Sequence, residues 1–429
     1  MPIDFKKQQI AFIIDDLTEF YALRELVDAL KKENIPTDII IPSDSGYNGL
    51  AEHTFKKIEN LGYSPLKDAP KNKIYKILFS PYPTIEVIRR TNFIYQIRMP
   101  YSTISAKPNP VYSTEFKIDY DAIICFNTYE PNFLSCYGAD CYAVPYWKYD
   151  NFQKSPFVSK KPRLLILPTF GQDTSCIKYL TESVIDEIKR HFRIIIKAHH
   201  AIHFGRDNQE DFKKLQKLAD EFYDSDTPIT ELLQKADIVL SDNSGSIFEA
   251  IYSNTPVVAF SKNLNARHFN GIDTLQYKLM KDDILPYTNS PTKILSLLLS
   301  IKPYFNKQQA VKKELFPKYE GNPLDVTINL IKKYLGKDES QDYKKILHDA
   351  MLEEWYSNKR KTSSLETHIQ SLQSTIKSLE SANETLKSNT KTLRTTIKMQ
   401  DAVLNSGAYQ LYDKIITPYK KIRSARSKK

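Results

Sequence analysis

The sequence predicts an α/β protein of two doubly wound domains that face each other across a cleft, followed by a coiled coil and an amphipathic basic tail. Three observations predict this. The chain opens with an apolar run, an amphipathic stretch and a second apolar run, the pattern of a β-α-β unit and so of a parallel sheet. The same alternation restarts after a proline-bracketed polar segment. Beyond about residue 360 it gives way to leucines spaced every seven residues.

Size and composition fit this plan. A chain of 429 residues is a prior for two or three domains at about 100–200 residues each. With 41% apolar and 26% charged residues it can fill sizeable cores, which excludes wholesale disorder. No run approaches the ~18 consecutive apolar residues that cross a bilayer, and neither a spanning helix nor a signal peptide is expected. The four cysteines form no CxxC pair, which argues against structural zinc, and they are expected to be reduced. Neither GxGxxG nor Gly-Lys-Ser/Thr occurs, which argues against an ordinary NAD enzyme and against a P-loop NTPase.

Residues 8–14 (QQIAFII) read as a buried strand, 18–33 as an amphipathic helix and 37–41 as a second strand. Further strands at 75–79, 93–98, 121–126 and near 141–144 complete a first domain over residues 1–150. The segment YWKYDNFQKSPFVSKKP, ending at Pro162, has no apolar periodicity and reads as an interdomain linker. The second domain, 160–336, is built from strands 163–168, 192–197, 237–241 and 256–260. Its helices are expected at about 174–190, 209–221, 228–235, 246–253, 291–301 and 323–335. The last two start at Ser290-Pro291 and Asn322-Pro323, each a capping residue followed by the proline that suits the first helical position.

Leu365, Leu372, Leu379, Leu386 and Leu393 occupy every seventh position, with Ile369, Ile376, Asn383, Thr390, Ile397 and Leu404 interleaved. This pattern predicts a parallel two-stranded coiled coil over 361–405 and hence a homodimer, the alternative being a lone helix lying on the globular body. The net charge of +10 is concentrated in 406–429, where seven basic residues face one acid, leaving only +4 for the other 405 residues. That distribution argues against a nucleic-acid groove. In the tail Leu411, Tyr412, Ile415, Ile416, Tyr419 and Ile422 share one helical face against a basic one, which predicts a helix lying on an anionic membrane surface. The chain is thus expected to be cytoplasmic and peripheral on the inner face of the cell membrane.

The chemistry concentrates in the second domain. A strand ending at Ser241 runs into Asp242-Asn243-Ser244-Gly245-Ser246 and then a helix, a turn whose amides and hydroxyls suit a diphosphate. Glu249, one turn in, can accept from ribose hydroxyls. The competing local reading is a capping box made by Ser246 and Glu249. Lys197 ends the strand FRIIIK with His199 and His200 just beyond it, and Thr169 and Gly171 follow RLLILP; both are strand ends where parallel sheets place ligands. His199 and His203 lack the glutamate and third ligand of a zinc site. Asp15 and Asp16 end the first strand, where the pair can supply a base or hold a cation, or Asp16 can simply begin the loop before the helix. Asp224 and Asp226 resemble a DxD metal motif but directly precede Thr227-Pro228, a helix start.

Three pieces in order, LPTFG (167–171), KAHH (197–200) and ELLQKADIVLSDNSGSIFEAIYSNTPVVAF (231–260), resemble the C-terminal domain of the CDP-glycerol glycerophosphotransferase family, the teichoic-acid and capsule polymerases. Residues 121–152 resemble that family's interdomain stretch. The resemblance implies the GT-B fold, two Rossmann-like domains with the nucleotide held mainly by the second. It places His199 at the family's KPHP histidine, Ser244 and Ser246 at its phosphate-binding serines and Glu249 at its following acid. It further implies a nucleotide-activated donor and a lipid-linked or glycan acceptor; no metal ligands and no cofactor are assigned from the sequence. KAHH lacks the family's proline, and the first domain lacks its His-Gly motif; RMPYSTISAK (98–107) stands about there. The SDNSGSIFEA block is also similar to nucleotide-sugar enzymes of the same fold, so a glycosyltransferase is the alternative, and a non-catalytic coiled-coil scaffold the second alternative.

Overall fold

The run IAFII leaves no polar face for water, so it is suited to an interior position in a parallel sheet covered on both sides. The computed structural model, which describes residues 9–42, 49–81, 88, 90–103, 120–134, 139–156, 161–169, 175–199, 209–261, 268–269, 272–338 and 342–426, places it there. β1 (Ile10–Ile13) is fully buried between β2 (Thr37–Ile40) and β3 (Ile74–Ser80). With β4 (Asn92–Arg98), β5 (Ala122–Cys125) and β6 (Asp140–Ala143) they form a sheet of order β2-β1-β3-β4-β5-β6, every pair parallel. Helix α1 (Leu17–Lys32) buries Phe20, Leu23, Leu26, Val27 and Leu30 against this sheet. Helix α2 (Leu50–Asn60), absent from the sequence reading, starts after Gly49, whose φ of 82° is open only to a residue without a Cβ strain penalty.

The second sheet joins β7 (Arg163–Leu167), β8 (Arg193–Lys197), β9 (Glu221–Tyr223), β10 (Ile238–Ser241), β11 (Val257–Phe260) and, beyond a short hairpin of β12 (His268–Phe269) and β13 (Ile272–Asp273), β14 (Tyr287–Thr288). Its order is β14-β11-β10-β7-β8-β9, again all parallel. Each sheet reverses its strand order once, between β1 and β3 in the first and between β7 and β10 in the second. Ligands of doubly wound sheets bind beyond the carboxyl ends of the strands at such reversals. The expected fold class, two such domains and a helical C-terminal region, is the one observed.

Several elements differ from the expectation. The helix expected over 174–190 is a 3-10 turn (Ile177–Tyr179) and a helix (Glu182–Lys189), divided where Thr181 adopts an extended backbone. The helix expected over 209–221 ends at Leu218, because Asp220 exchanges bonds with Ile194 of β8 and turns the next three residues into the edge strand β9. After Ser300 a second helix, Ile301–Leu315, follows. Helix Pro323–Leu335 begins as expected, with Asn322 accepting from the Leu324 amide at 2.9 Å. It packs on the first sheet, Tyr334 edge-on to Tyr95 with ring centres 5.4 Å apart.

The segment read as a polar linker is partly core. Tyr146, Trp147 and Tyr149 are buried, and Trp147–Tyr149 forms a 3-10 turn between the sheets. The Trp147 indole donates to the Ala22 carbonyl of α1 at 2.9 Å, Tyr146 stacks on Phe126 at 4.1 Å, and Tyr252 of the helix Ser246–Tyr252 meets Tyr146 edge-on at 5.1 Å. The apolar side chains are consecutive rather than periodic, which is why a pattern search passes over them.

The chain continues as a 62-residue helix, Tyr343–Leu404. In its first turns Lys345 and His348 lie 3.1 and 3.3 Å from Asp121 at the start of β5. Residues from Glu353 onward form a separate unit. Within it the heptad residues Leu365, Ile369, Leu372, Ile376 and Leu379 are exposed, and eight threonine hydroxyls between Thr362 and Thr396 bond to carbonyls one turn back. Helix Gly407–Arg426 runs through Pro418. No described helix is long and apolar enough to cross a membrane.

Because Trp147 fills the joint between the sheets, Trp147→Ala is expected to cost about 3–5 kcal/mol in urea unfolding of the full chain. A loss under 1 kcal/mol would show that the joint is not a packed core.

Candidate nucleotide cleft

The carboxyl ends of the two sheets line one cleft. From the first domain come Thr18 and Tyr21 of α1, Pro81 after β3, Arg98 at the end of β4 and Tyr101, Ser102 and Thr103 beyond it. Thr169, Lys197, His199, Ser244, Gly245, Ser246 and Glu249 face them from the second, and Lys148 comes from the hinge turn. Seven of the expected site residues are therefore together. Gly171 and His200 lie outside the described residues.

The turn after β10 is built by hydroxyls. Ser246 Oγ lies 2.8 Å from Ser241 Oγ and 3.0 Å from Ser244 Oγ, and Ser241 in turn donates to the Leu167 carbonyl of β7. The capping box is not formed, since Gly245 precedes the helix and neither Ser246 nor Glu249 bonds a first-turn amide with its side chain. Gly245 meets the first domain directly: a Cβ there would stand 2.6 Å from Ser102 Oγ and 2.9 Å from the Thr103 carbonyl, so any larger residue must part the two loops. Tyr146 fixes that approach by accepting from the Thr103 amide at 2.8 Å.

Asp242 occupies a different place from the one expected. It is fully buried, and its carboxylate accepts from the Thr169 amide at 3.0 Å and the Cys176 amide at 2.9 Å. It shapes the loop after β7 rather than lining the cleft. Asp16 likewise caps α1, accepting from the Glu19 amide at 3.0 Å, and is only 4% exposed. Glu19 behind it takes the Asp15 amide at 2.7 Å, and burial, with the charges of Asp15 and Asp16, pushes its carboxyl well above the usual range. Asp226 pairs with His53 at 2.8 Å and Lys57 at 2.9 Å, and Asp224 accepts from the Asp226 amide and the Thr227 hydroxyl, so this pair serves the turn before helix Ile229–Lys235.

The cations carry the electrostatics. Arg98 is buried, the Lys148 side chain is nearly enclosed, and sequence reasoning missed both. The signal was available, since Arg98 opens RMPYSTISAK and Lys148 lies within the stretch resembling the family's interdomain segment. Lys197 donates to the Ala198 and Ser225 carbonyls at 3.2 and 3.3 Å. Its ammonium is enclosed although the residue as a whole is only half-buried. That enclosure lowers its pKa to about 8, against the opposing pull of Asp16, Asp224, Glu249 and Asp226.

No protein-family model and no curated protein matches the chain. Solved structures do. A Listeria monocytogenes protein assigned as a UDP-N-acetylglucosamine 2-epimerase superposes with a TM-score of 0.52 at 11% identity, over 79% of this chain and 99% of its own. The wall teichoic acid polymerase TagF gives 0.52 at 14% identity over 77% and 89%, and S. aureus MnaA, determined with UDP, gives 0.51 at 12% over 76% and 97%. A TagF variant soaked with CDPG scores 0.50. At such identity the likeness establishes the fold, that of the GT-B class.

The lowered pKa of Lys197 has a definite consequence for stability. Between about pH 8 and the ordinary lysine value near 10.5 the unfolded chain holds a proton that the folded chain has released, so stability rises with pH across that window. Lys197→Met should remove this rise, as measured by thermal unfolding of both proteins at about pH 7.5 and 9.5. Equal slopes would show that the ammonium is not desolvated.

Proposed function

We propose that this chain is a transferase that binds a nucleotide-activated donor in the cleft and works in cell-envelope polymer synthesis. In the leading reading it moves glycerol phosphate, or a related polyol phosphate, from a CDP-activated donor to a lipid-linked or glycan acceptor. The observation that carries this is the convergence of Arg98 and Lys197 with His199 and the Ser244/Ser246 hydroxyls at the facing reversals of two parallel sheets. Such a site suits two phosphates flanked by a nucleoside. The acceptor oxygen forms a bond to the β-phosphorus, the bond from that phosphorus to the bridging oxygen breaks, and CMP leaves with the electron pair while the hydroxyl proton passes to base. Lys197 and His199 stabilise charge on the diphosphate. Asp16, engaged in capping α1, acts on Lys197 through its charge.

A nucleotide-sugar glycosyltransferase is the second reading, with attack at the anomeric carbon over the same phosphate site. It is supported by superposition on the Listeria protein as close as that on TagF. Incubation with CDP-glycerol and a panel of nucleotide sugars separates the two: CMP release supports the first, nucleoside diphosphate release the second. His199→Ala should lower turnover ~10²–10³-fold. Unchanged binding and turnover in His199→Ala and Glu249→Ala would refute the roles given to these two residues, and a wild-type chain that turns over no donor would leave the third reading, a non-catalytic scaffold whose function is the coiled coil.

The exposed heptad face supports a parallel dimer through 361–405, with Asn383 opposite its mate setting register. A chain truncated at 360 is expected to be monomeric by light scattering, and a dimer would refute the assignment. Helix Gly407–Arg426, with Leu411 and Tyr412 exposed, suits the surface of an anionic bilayer beside a lipid-linked acceptor. Vesicle binding is expected to need anionic lipid, weaken in salt and vanish on deleting 406–429.

A further inference from the structure

The hinge turn supplies a buried cation to the cleft that no motif accounts for. The Lys148 side chain is 8% exposed, and its ammonium lies 2.9 Å from Glu249 Oε2, whose side chain is 4% exposed. The same ammonium donates to the Tyr101 carbonyl of the first-domain loop at 3.0 Å. Tyr149, next in sequence, donates its hydroxyl to the same Oε2 at 2.5 Å. Burial and the neighbouring Glu249 charge hold that hydroxyl well above its ordinary pKa, so it remains a donor.

Both donors fall on one carboxylate oxygen. Among the described residues none bonds Oε1, and Glu249 lines the cleft. A glutamate has three rotatable bonds, and a carboxylate at a cleft wall turns toward whichever cation is nearest unless it is tied. Two donors on Oε2 fix the group while the lone pairs of Oε1 stay available. The tie also spans the domains, because Tyr101 belongs to the loop that closes on Gly245.

We infer that Lys148 and Tyr149 are positioning residues that aim Glu249 Oε1 at the vicinal hydroxyls of the donor ribose, so that the cleft selects ribonucleotides over their 2′,3′-dideoxy analogues. This rests on the nucleotide reading above. A plain diphosphate-binding lysine is the alternative, and it predicts that losing Lys148 weakens both kinds of nucleotide alike.

Equilibrium binding of CDP, UDP and the corresponding dideoxynucleotides to the full chain decides the matter. The wild-type protein is expected to favour the ribose form about 10-fold, the worth of a hydrogen bond to a charged group. In Lys148→Met and in Glu249→Ala the ratio should fall close to one, and the double variant should fall no further, as for two residues acting through one contact. Tyr149→Phe should reduce the ratio about 3-fold, and it carries the test should Lys148→Met fail to fold. A wild-type ratio of one, or a Lys148→Met protein weakened equally for both nucleotides, overturns the inference and leaves the nucleotide reading standing. Failure of the wild-type chain to bind either ribonucleotide overturns both.

Discussion

One 3-10 turn, Trp147–Tyr149, is the constraint on which the rest of the molecule depends. With Tyr146 before it, the turn gives each neighbouring side chain a separate task. Tyr146 receives the Thr103 amide and holds the first-domain loop, Trp147 bonds α1, and Lys148 and Tyr149 converge on Glu249 in the second domain. The sheets can face each other at their reversal points only if the crossing chain is short and rigid. Consecutive bulky aromatics, locked by stacking on Phe126 and an edge-on contact with Tyr252, provide that rigidity.

The electrostatics of the cleft follow from the same arrangement. Parallel strands deliver polar residues to their carboxyl ends, and two such ends facing each other enclose charge that a single sheet would leave in water. Cations and carboxylates are accordingly interleaved: Lys148 with Glu249, and Lys197 within the field of Asp16. Burying one partner alone would be far costlier than burying the pair. The carboxylates that do not reach the cleft, Asp16 and Asp242, build the backbone around it instead.

The strand cores were legible in the sequence because fully buried parallel strands are continuous apolar runs, and β1, β7, β8, β10 and β11 lie within a residue or two of their expected bounds. The Ser244-Gly245-Ser246 turn and Lys197 were legible from their place after such runs. Asp242 and Asp16 were misplaced because a carboxylate at a strand end looks the same in sequence whether it serves a ligand or a backbone amide. Lys148 escaped notice because its role rests on Glu249 of the second domain, a contact that its place in the interdomain stretch does not disclose, and Arg98 because RMPYSTISAK shows its position but not its burial. The edge strand β9 was hidden by a tertiary bond between Asp220 and Ile194 that overrides helical periodicity.

The central claim, that the facing reversal points form a nucleotide site, is tested most directly by amide hydrogen exchange of the full chain with and without CDP or UDP. The account predicts slowed exchange in 101–103, 147–149, 197–199 and 244–249 together, since one ligand would bridge all four. Unchanged exchange there, or protection confined to other segments while nucleotide is bound, would contradict it.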